Sequence, residues 1–228
     1  MLFRSCYKDA FHYWPLDKSI IFTQDVNGDG SQVGRIHGSW AIQEAPNKLG
    51  IEPLALSFAG SGSWVDMGDF KDSCVSSPSM CPNGISVSFK ASISGNETGY
   101  ILSSGGQSSK GLAVFYMGAT MHFNLRDGLK VWQVQGSYQR NTWQTFSMSW
   151  SQENGLTAVI VGNAANVLRD ICGKALTPSE DVDTSFTIGR PNSKSEQYAQ
   201  CVIRDVAVWQ EEITEEKMSK LHVCNGEV

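Results

Sequence analysis

Trp143-Gln144-Thr145-Phe146-Ser147-Met148-Ser149-Trp150 is followed by Ser151-Gln152-Glu153-Asn154-Gly155 and then by Leu156-Thr157-Ala158-Val159-Ile160-Val161. In the first run Phe146, Met148 and Trp150 share one face, and Thr145, Ser147 and Ser149 share the other. Alternation with a period of two marks a half-buried strand. The five polar residues that follow end in a glycine and fit a hairpin loop. The second run is apolar on both faces, as a central strand is. Gly162-Asn163 supplies the next tight turn, because both residues tolerate positive φ. A long strand, a turn and a strand buried on both sides belong near the middle of a sheet.

The chain around this hairpin has 228 residues, and all-β sandwiches of that length are routinely single domains, so residues 1–228 are read as one domain. Seven Trp, ten Phe and six Tyr are ample for one large core. A net charge of −5, with no run of Lys or Arg, argues against a nucleic-acid partner or an anionic membrane. The longest apolar runs are about six residues, against about 20 needed to span a bilayer, so no direct membrane insertion is expected. The chain opens Met1-Leu2-Phe3-Arg4 without the apolar stretch of a signal peptide. Six cysteines and a sequon, Asn96-Glu97-Thr98, nonetheless point to an oxidising compartment and to glycosylation at Asn96. The reading that reconciles these is an excised piece of a longer secreted or cell-surface protein.

Elsewhere the punctuation is that of short strands. Residues 54–58 and 64–67 flank Gly60-Ser61-Gly62 and read as a hairpin. Residues 85–91 alternate, with Ile85, Val87, Phe89 and Ala91 inward. Residues 100–102, 112–117, 120–124 and 130–134 follow at strand spacing, and residues 186–189 and 201–209 complete the set. One helix is expected near the end, with Thr214 as N-cap, Glu215 and Glu216 favoured by the helix dipole, and Met218 and Leu221 on a common face.

Several stretches together resemble laminin-G-like and pentraxin-like domains. Trp14-Pro15-Leu16-Asp17 with the turn after it resembles the opening of laminin-G-like domains. Residues 56–66, Leu-Ser-Phe-Ala-Gly-Ser-Gly-Ser-Trp-Val-Asp, look like their second landmark. Residues 143–162 resemble the strand pair shared with pentraxins. Phe186-Thr187-Ile188-Gly189-Arg190, residues 202–209, the closing helix and Cys224 are similar to the C-terminal signature. The resemblance runs from about Tyr13 to Cys224. It implies an all-β, concanavalin A-like jelly-roll sandwich of two antiparallel sheets with one short C-terminal helix. It also implies service as a lectin, adhesion module or receptor ectodomain, often with calcium. Pentraxins place an acidic cluster after the Ile-Gly pair. Here Ile188-Gly189 is followed by Arg190-Pro191-Asn192-Ser193-Lys194, which argues against a pentraxin-type calcium site.

No catalytic constellation is visible. The acidic groups, Glu180-Asp181-Val182-Asp183 and Glu211-Glu212 with Glu215-Glu216, read as a solvated loop and a helix start rather than the facing carboxylates of a glycosidase. His12, His37, His122 and His222 are scattered. Tyr116, Trp132 and Tyr138 are candidates for stacking on a sugar, weighed against a place in the core.

The cysteines read as structural. Cys74 and Cys81 enclose a short loop and form the natural pair, worth on the order of 2–3 kcal/mol by loop closure. Cys6 with Cys224 would tie together the termini, which a sandwich often brings close. Cys172 with Cys201 is then left over.

Asp25-Val26-Asn27-Gly28-Asp29-Gly30 matches the first six positions of an Asp-x-Asn-x-Asp-Gly calcium loop. Asp25, Asn27 and Asp29 are the candidate ligands, and calcium is the one cofactor the sequence points to. Ile36 stands where an EF-hand has its bidentate Glu, and no flanking helices are expected, so the loop is not an EF-hand. The competing reading is a turn whose side chains accept backbone hydrogen bonds without metal.

The expectation is therefore an extracellular, non-enzymatic recognition or adhesion module with a protein or glycan ligand. Self-association stays open. The alternatives are a structural spacer without its own ligand and, last, a carbohydrate-active hydrolase.

Overall fold

The computed structural model describes residues 5–16, 24–27, 33–44, 54–106, 109–177, 183–193 and 196–223. The hairpin quoted above lies where its pattern puts it. Strands β11 (Gln144–Ser151) and β12 (Gly155–Val161) pair antiparallel, with Phe146 opposite Ile160 and Trp150 opposite Leu156. They belong to the first of two sheets.

Before them in the chain come β1 (His12–Trp14), β2 (Arg35–His37), β3 (Trp40–Glu44), β4 (Leu54–Ala59), β5 (Trp64–Asp69), β6 (Ile85–Ile93), β7 (Thr98–Ser103), β8 (Gly111–Met117), β9 (Thr120–Arg126) and β10 (Lys130–Ser137). After them come β13 (Ala165–Asp170), β14 (Lys174–Ala175), β15 (Ser185–Ile188), β16 (Gln200–Trp209) and helix α1 (Glu215–Lys220). The first sheet runs β13-β12-β11-β6-β16-β4-β3, with β1 continuing along β16. The second runs β14-β10-β9-β8-β7-β15-β5-β2. The ladders between these strands are antiparallel among the described residues. The chain is thus an all-β sandwich of two antiparallel sheets with one short C-terminal helix.

The inward faces meet in one core. Ile85, Val87, Phe89, Ala91, Phe146, Met148 and Trp150 from the first sheet pack against Leu112, Val114, Phe123, Leu125 and Trp132 from the second. This is the alternation read from residues 85–91 and 143–150, because successive side chains of a strand point to opposite faces.

The outer face of the first sheet differs from the half-buried strand expected. Thr145, Ser147 and Ser149 are buried as well. Tyr7, Tyr13, Trp209, Ile213, Met218 and Leu221 form a second apolar cluster on that side, joined by Val159 and Val161. The serines are satisfied within it. Ser149 Oγ lies 2.8 Å from Ser86 Oγ, Ser147 Oγ lies 2.9 Å from Ser88 Oγ, and both Ser86 and Ser149 accept from the Ile213 amide. Pairing offsets the cost of burying these hydroxyls. Thr214 caps α1 as read, accepting from the Lys217 amide at 3.2 Å.

The reading of residues 54–67 as a hairpin needs correction. β4 and β5 lie in different sheets, and Gly60-Ser61-Gly62 carries the chain from one to the other. Alternating residues on both sides of a turn specify faces, not which strand is the partner.

The cysteines divide unexpectedly too. Cys74 and Cys81 form a disulfide, with Cα atoms 5.4 Å apart. Cys6 is also disulfide-bonded, and Cys224 lies outside the described residues. Cys172 and Cys201 are free thiols, contrary to the pairing proposed for them. Cys201 is buried on β16 within the core, while Cys172 sits exposed after β13. Asn96 is exposed on the connection between β6 and β7.

Candidate functional site

Asp25 and Asn27 are drawn together as the calcium motif suggested, yet their polar atoms are already used. Asp25 Oδ1 accepts from the Tyr13 amide at 2.8 Å and from the Asn27 amide at 3.2 Å. Its Oδ2 lies 2.5 Å from His12 Nδ1. The Asn27 side-chain amide donates to the carbonyls of Tyr7 and Ala10, the latter at 2.9 Å. Asp25 is 2% exposed. Asp29 lies outside the described residues, and among those described no three His, Cys, Asp or Glu side chains are grouped to hold a metal. A hard cation needs several oxygens with free lone pairs converging on it. Here one carboxylate faces three donors, and an amide nitrogen points at carbonyls. The two residues do not fit calcium as they stand. They stitch the N-terminal segment onto β1.

The aromatic residues singled out as sugar platforms are core residues. Tyr116, Trp132 and Tyr138 are 2%, 2% and 6% exposed. The Gln200 amide donates to the Tyr116 hydroxyl, and the Tyr138 hydroxyl donates to the Gly118 carbonyl, which fixes both rings between the sheets.

The acidic residues near the helix start line a cleft of about 360 Å³ between α1 and the β12–β13 edge, with Arg169 and Asn154 among its walls. Glu215 pairs with Arg169, and Glu212 accepts from the Asn154 amide at 2.8 Å. Glu216 pairs with Lys220 one turn on. These carboxylates are engaged with neighbours rather than facing each other across the cleft. Asp183 caps its own turn by accepting from the Ser185 amide and hydroxyl.

The outward face of the second sheet carries two ring systems that periodicity alone did not single out. Tyr100, Phe115 and His122 stack across β7, β8 and β9, with centroids 4.8 Å apart at each step. Burial holds the His122 imidazole below its ordinary pKa. Nearer the β2 edge, His37 stands opposite Trp64, and their rings stack with centroids 4.2 Å apart and planes 7° from parallel. Arg190, just beyond β15 on the other side of β5, lays its guanidinium carbon 3.4 Å from the Trp64 ring centre. Gly189 permits this approach. Its φ is +95°, and a Cβ there would lie 3.2 Å from Trp64 Cα and 3.1 Å from the Ser63 carbonyl oxygen. Thr187 then fixes the chain by donating its hydroxyl to the Arg190 carbonyl at 2.8 Å. Asn192 anchors the following turn, accepting from the Ser103 hydroxyl at 3.1 Å. Trp64 and Arg190 both occur in the stretches that carry the family resemblance. Only the strand order makes them neighbours.

No protein-family model matches the chain, and no curated protein matches it in sequence. Solved structures do match in shape. The binding domain of botulinum neurotoxin DC in complex with SialylT is 16% identical, with a TM-score of 0.66 over 95% of this chain and 52% of that one. The same binding domain in complex with rat synaptotagmin II is 14% identical, with a TM-score of 0.61 over 95% and 52%. The binding domain of botulinum neurotoxin serotype C1 is 14% identical, with a TM-score of 0.64 over 95% and 51%. The chain therefore spans about half the length of these structures. At such identity the likeness is one of fold: the chain has the β-sandwich that makes up about half of each of those binding domains.

Proposed function

We propose that this chain is an extracellular recognition module, laminin-G-like in type. It would bind a protein or a glycan as one domain of a larger secreted or cell-surface protein, without catalysing a reaction. The observation that carries the reading is the shared fold with neurotoxin binding domains, one of which is described both in complex with SialylT and in complex with rat synaptotagmin II. A fold does not fix a function. The surface adds weight, since one outward face presents aromatic rings beside cationic groups that have no ion pair among the described residues, while the carboxylates near the cleft are engaged. The disulfide between Cys74 and Cys81 suits an oxidising compartment.

The test is a glycan array run beside a pairwise screen against extracellular protein domains. Recognition predicts a saturable ligand on one of the two. Silence on both, together with a parent protein whose binding survives deletion of this domain, would leave a spacer.

A further inference from the structure

Two buried nitrogens without a hydrogen-bond partner, Arg190 Nε and His37 Nε2, lie around Trp64. Arg190 makes no ion pair and no side-chain hydrogen bond among the described residues. Of its guanidinium nitrogens without partners, only Nε is sealed from solvent, so the terminal nitrogens face outward. His37 Nε2 is likewise buried without a hydrogen-bond partner on the opposite strand. Arg35, exposed, shares the outward face of β2 with His37, two residues or about 7 Å along the strand. It too forms no ion pair among the described residues. The carboxylate placed beside it by register is Asp66, whose Oδ1 accepts from the Gly68 amide at 2.9 Å and which pairs with neither arginine. On a chain of net charge −5, this edge gathers two arginines and an imidazole with no neutralising acid in contact among the described residues.

We propose that this edge binds the acid group of a glycan, a carboxylate or a sulfate ester. The proposal rests on the recognition reading above and names the ligand class for it. A planar guanidinium offers parallel donors that match the oxygens of a carboxylate or sulfate, which a neutral sugar lacks. Stacking on Trp64 fixes the plane of that fork before any ligand arrives, so little rotamer freedom is lost on binding. Arg35 adds a second positive charge one step along the edge. The half-buried rim of Trp64 offers apolar surface to the ring that bears the acid.

The experiment titrates the whole chain with sialyllactose, with lactose bearing a sulfate ester, and with lactose, by calorimetry at low ionic strength. The expected result is binding of one or both acidic sugars, at least tenfold weaker binding of lactose, and weakening as salt rises. Arg190→Ala should weaken the acidic sugar at least tenfold, and Arg190→Lys, which keeps the charge without the planar fork, should fall between. Arg35→Ala, at an exposed position, repeats the test should Arg190→Ala lose its fold by circular dichroism. The two acidic probes separate a sialic acid from a sulfated sugar. Equal affinity for lactose, or acidic-sugar binding that ignores both arginine substitutions, overturns the acid site and leaves recognition standing. Protein binding without any glycan binding does the same. Absence of every ligand overturns both.

Discussion

The Tyr13 hydroxyl donates a 2.7 Å hydrogen bond to Asp205 Oδ1, joining residues 192 positions apart in the chain. Asp205 sits at a bulge in β16 with φ of +54°, a backbone geometry that Asp tolerates better than most residues. Its amide donates to the Pro15 carbonyl, and its second oxygen lies 3.2 Å from Arg204 Nε and 3.7 Å from Lys90 Nζ. The bulge thus turns one carboxylate into the fastening point for the N-terminal segment. Tyr13→Phe should cost about 1–3 kcal/mol, since it removes a donor from a buried charged acceptor. Urea denaturation checks this, and a double-mutant cycle with Asp205→Asn should show coupling well above zero. Additive losses would mean that the bond carries none of the docking.

Lys90 shares that buried cluster, and burial pulls its pKa from 10.5 down to about 8, against the pull of Asp205. Below pH 8 both the folded and unfolded chains hold the proton, and the cost of burying the charge is fully present. Between pH 8 and 10.5 the unfolded chain holds it and the folded chain does not, so this contribution to stability rises with pH. Cys201 acts oppositely, because burial pushes its thiol from 9.0 up to about 12. Above pH 9 the unfolded thiol ionises while the folded one stays neutral, and its contribution falls as pH rises. The window from pH 8 to 9 therefore isolates Lys90. Relative to Lys90→Met, the wild type should gain on the order of 1 kcal/mol across it. Parallel stability curves for the two proteins would refute this.

The free thiols differ in access. Among the four cysteines Cys74, Cys81, Cys172 and Cys201, iodoacetamide should label only exposed Cys172 in the folded chain, and reach buried Cys201 only after unfolding. Cys74 and Cys81 should stay unlabelled until reduced. Peptide mapping by mass spectrometry reads all four positions. A native digest containing a Cys172–Cys201 bridge would contradict the structure.

What the sequence made legible was local. Phe146, Met148 and Trp150 alternate with Thr145, Ser147 and Ser149, and that pattern placed β11 and its inward face correctly. It could not show that the serine face is buried too, because Trp209, Ile213 and Met218 arrive from the far end of the chain. The turn at residues 60–62 was visible, but not that it crosses between sheets. Cys172 and Cys201 were joined by counting, and their separation is a matter of three-dimensional placement. The edge around Trp64 was hidden for the same reason. His37 and Arg190 meet on one indole only because β2, β5 and β15 lie side by side.

Asn96 is exposed between β6 and β7, at the head of its Asn-Glu-Thr sequon. Expression through a eukaryotic secretory pathway should add one glycan there, seen as a mass increment that Asn96→Gln abolishes. Because the side chain is exposed, that substitution should change stability by less than about 0.5 kcal/mol. An unmodified Asn96 in secreted material would remove the site.

Asp25 separates the metal and turn readings of its motif most directly. With Oδ1 shared by the Tyr13 and Asn27 amides and Oδ2 against His12, the carboxylate supports backbone that would otherwise be buried without acceptors. Asp25→Ala should therefore destabilise the chain by about 2 kcal/mol or more, whether or not calcium is present. Asp25→Asn keeps one carbonyl oxygen for the amides and should cost less. If the motif held calcium instead, adding the ion would raise the wild-type Tm by mass action and leave the double variant Asp25→Ala, Asp29→Ala unmoved. The turn reading expects the same wild-type Tm in calcium and in chelator, and no calorimetric heat. A calcium-dependent rise in Tm that the double variant abolishes would show that these side chains leave their hydrogen bonds for the ion.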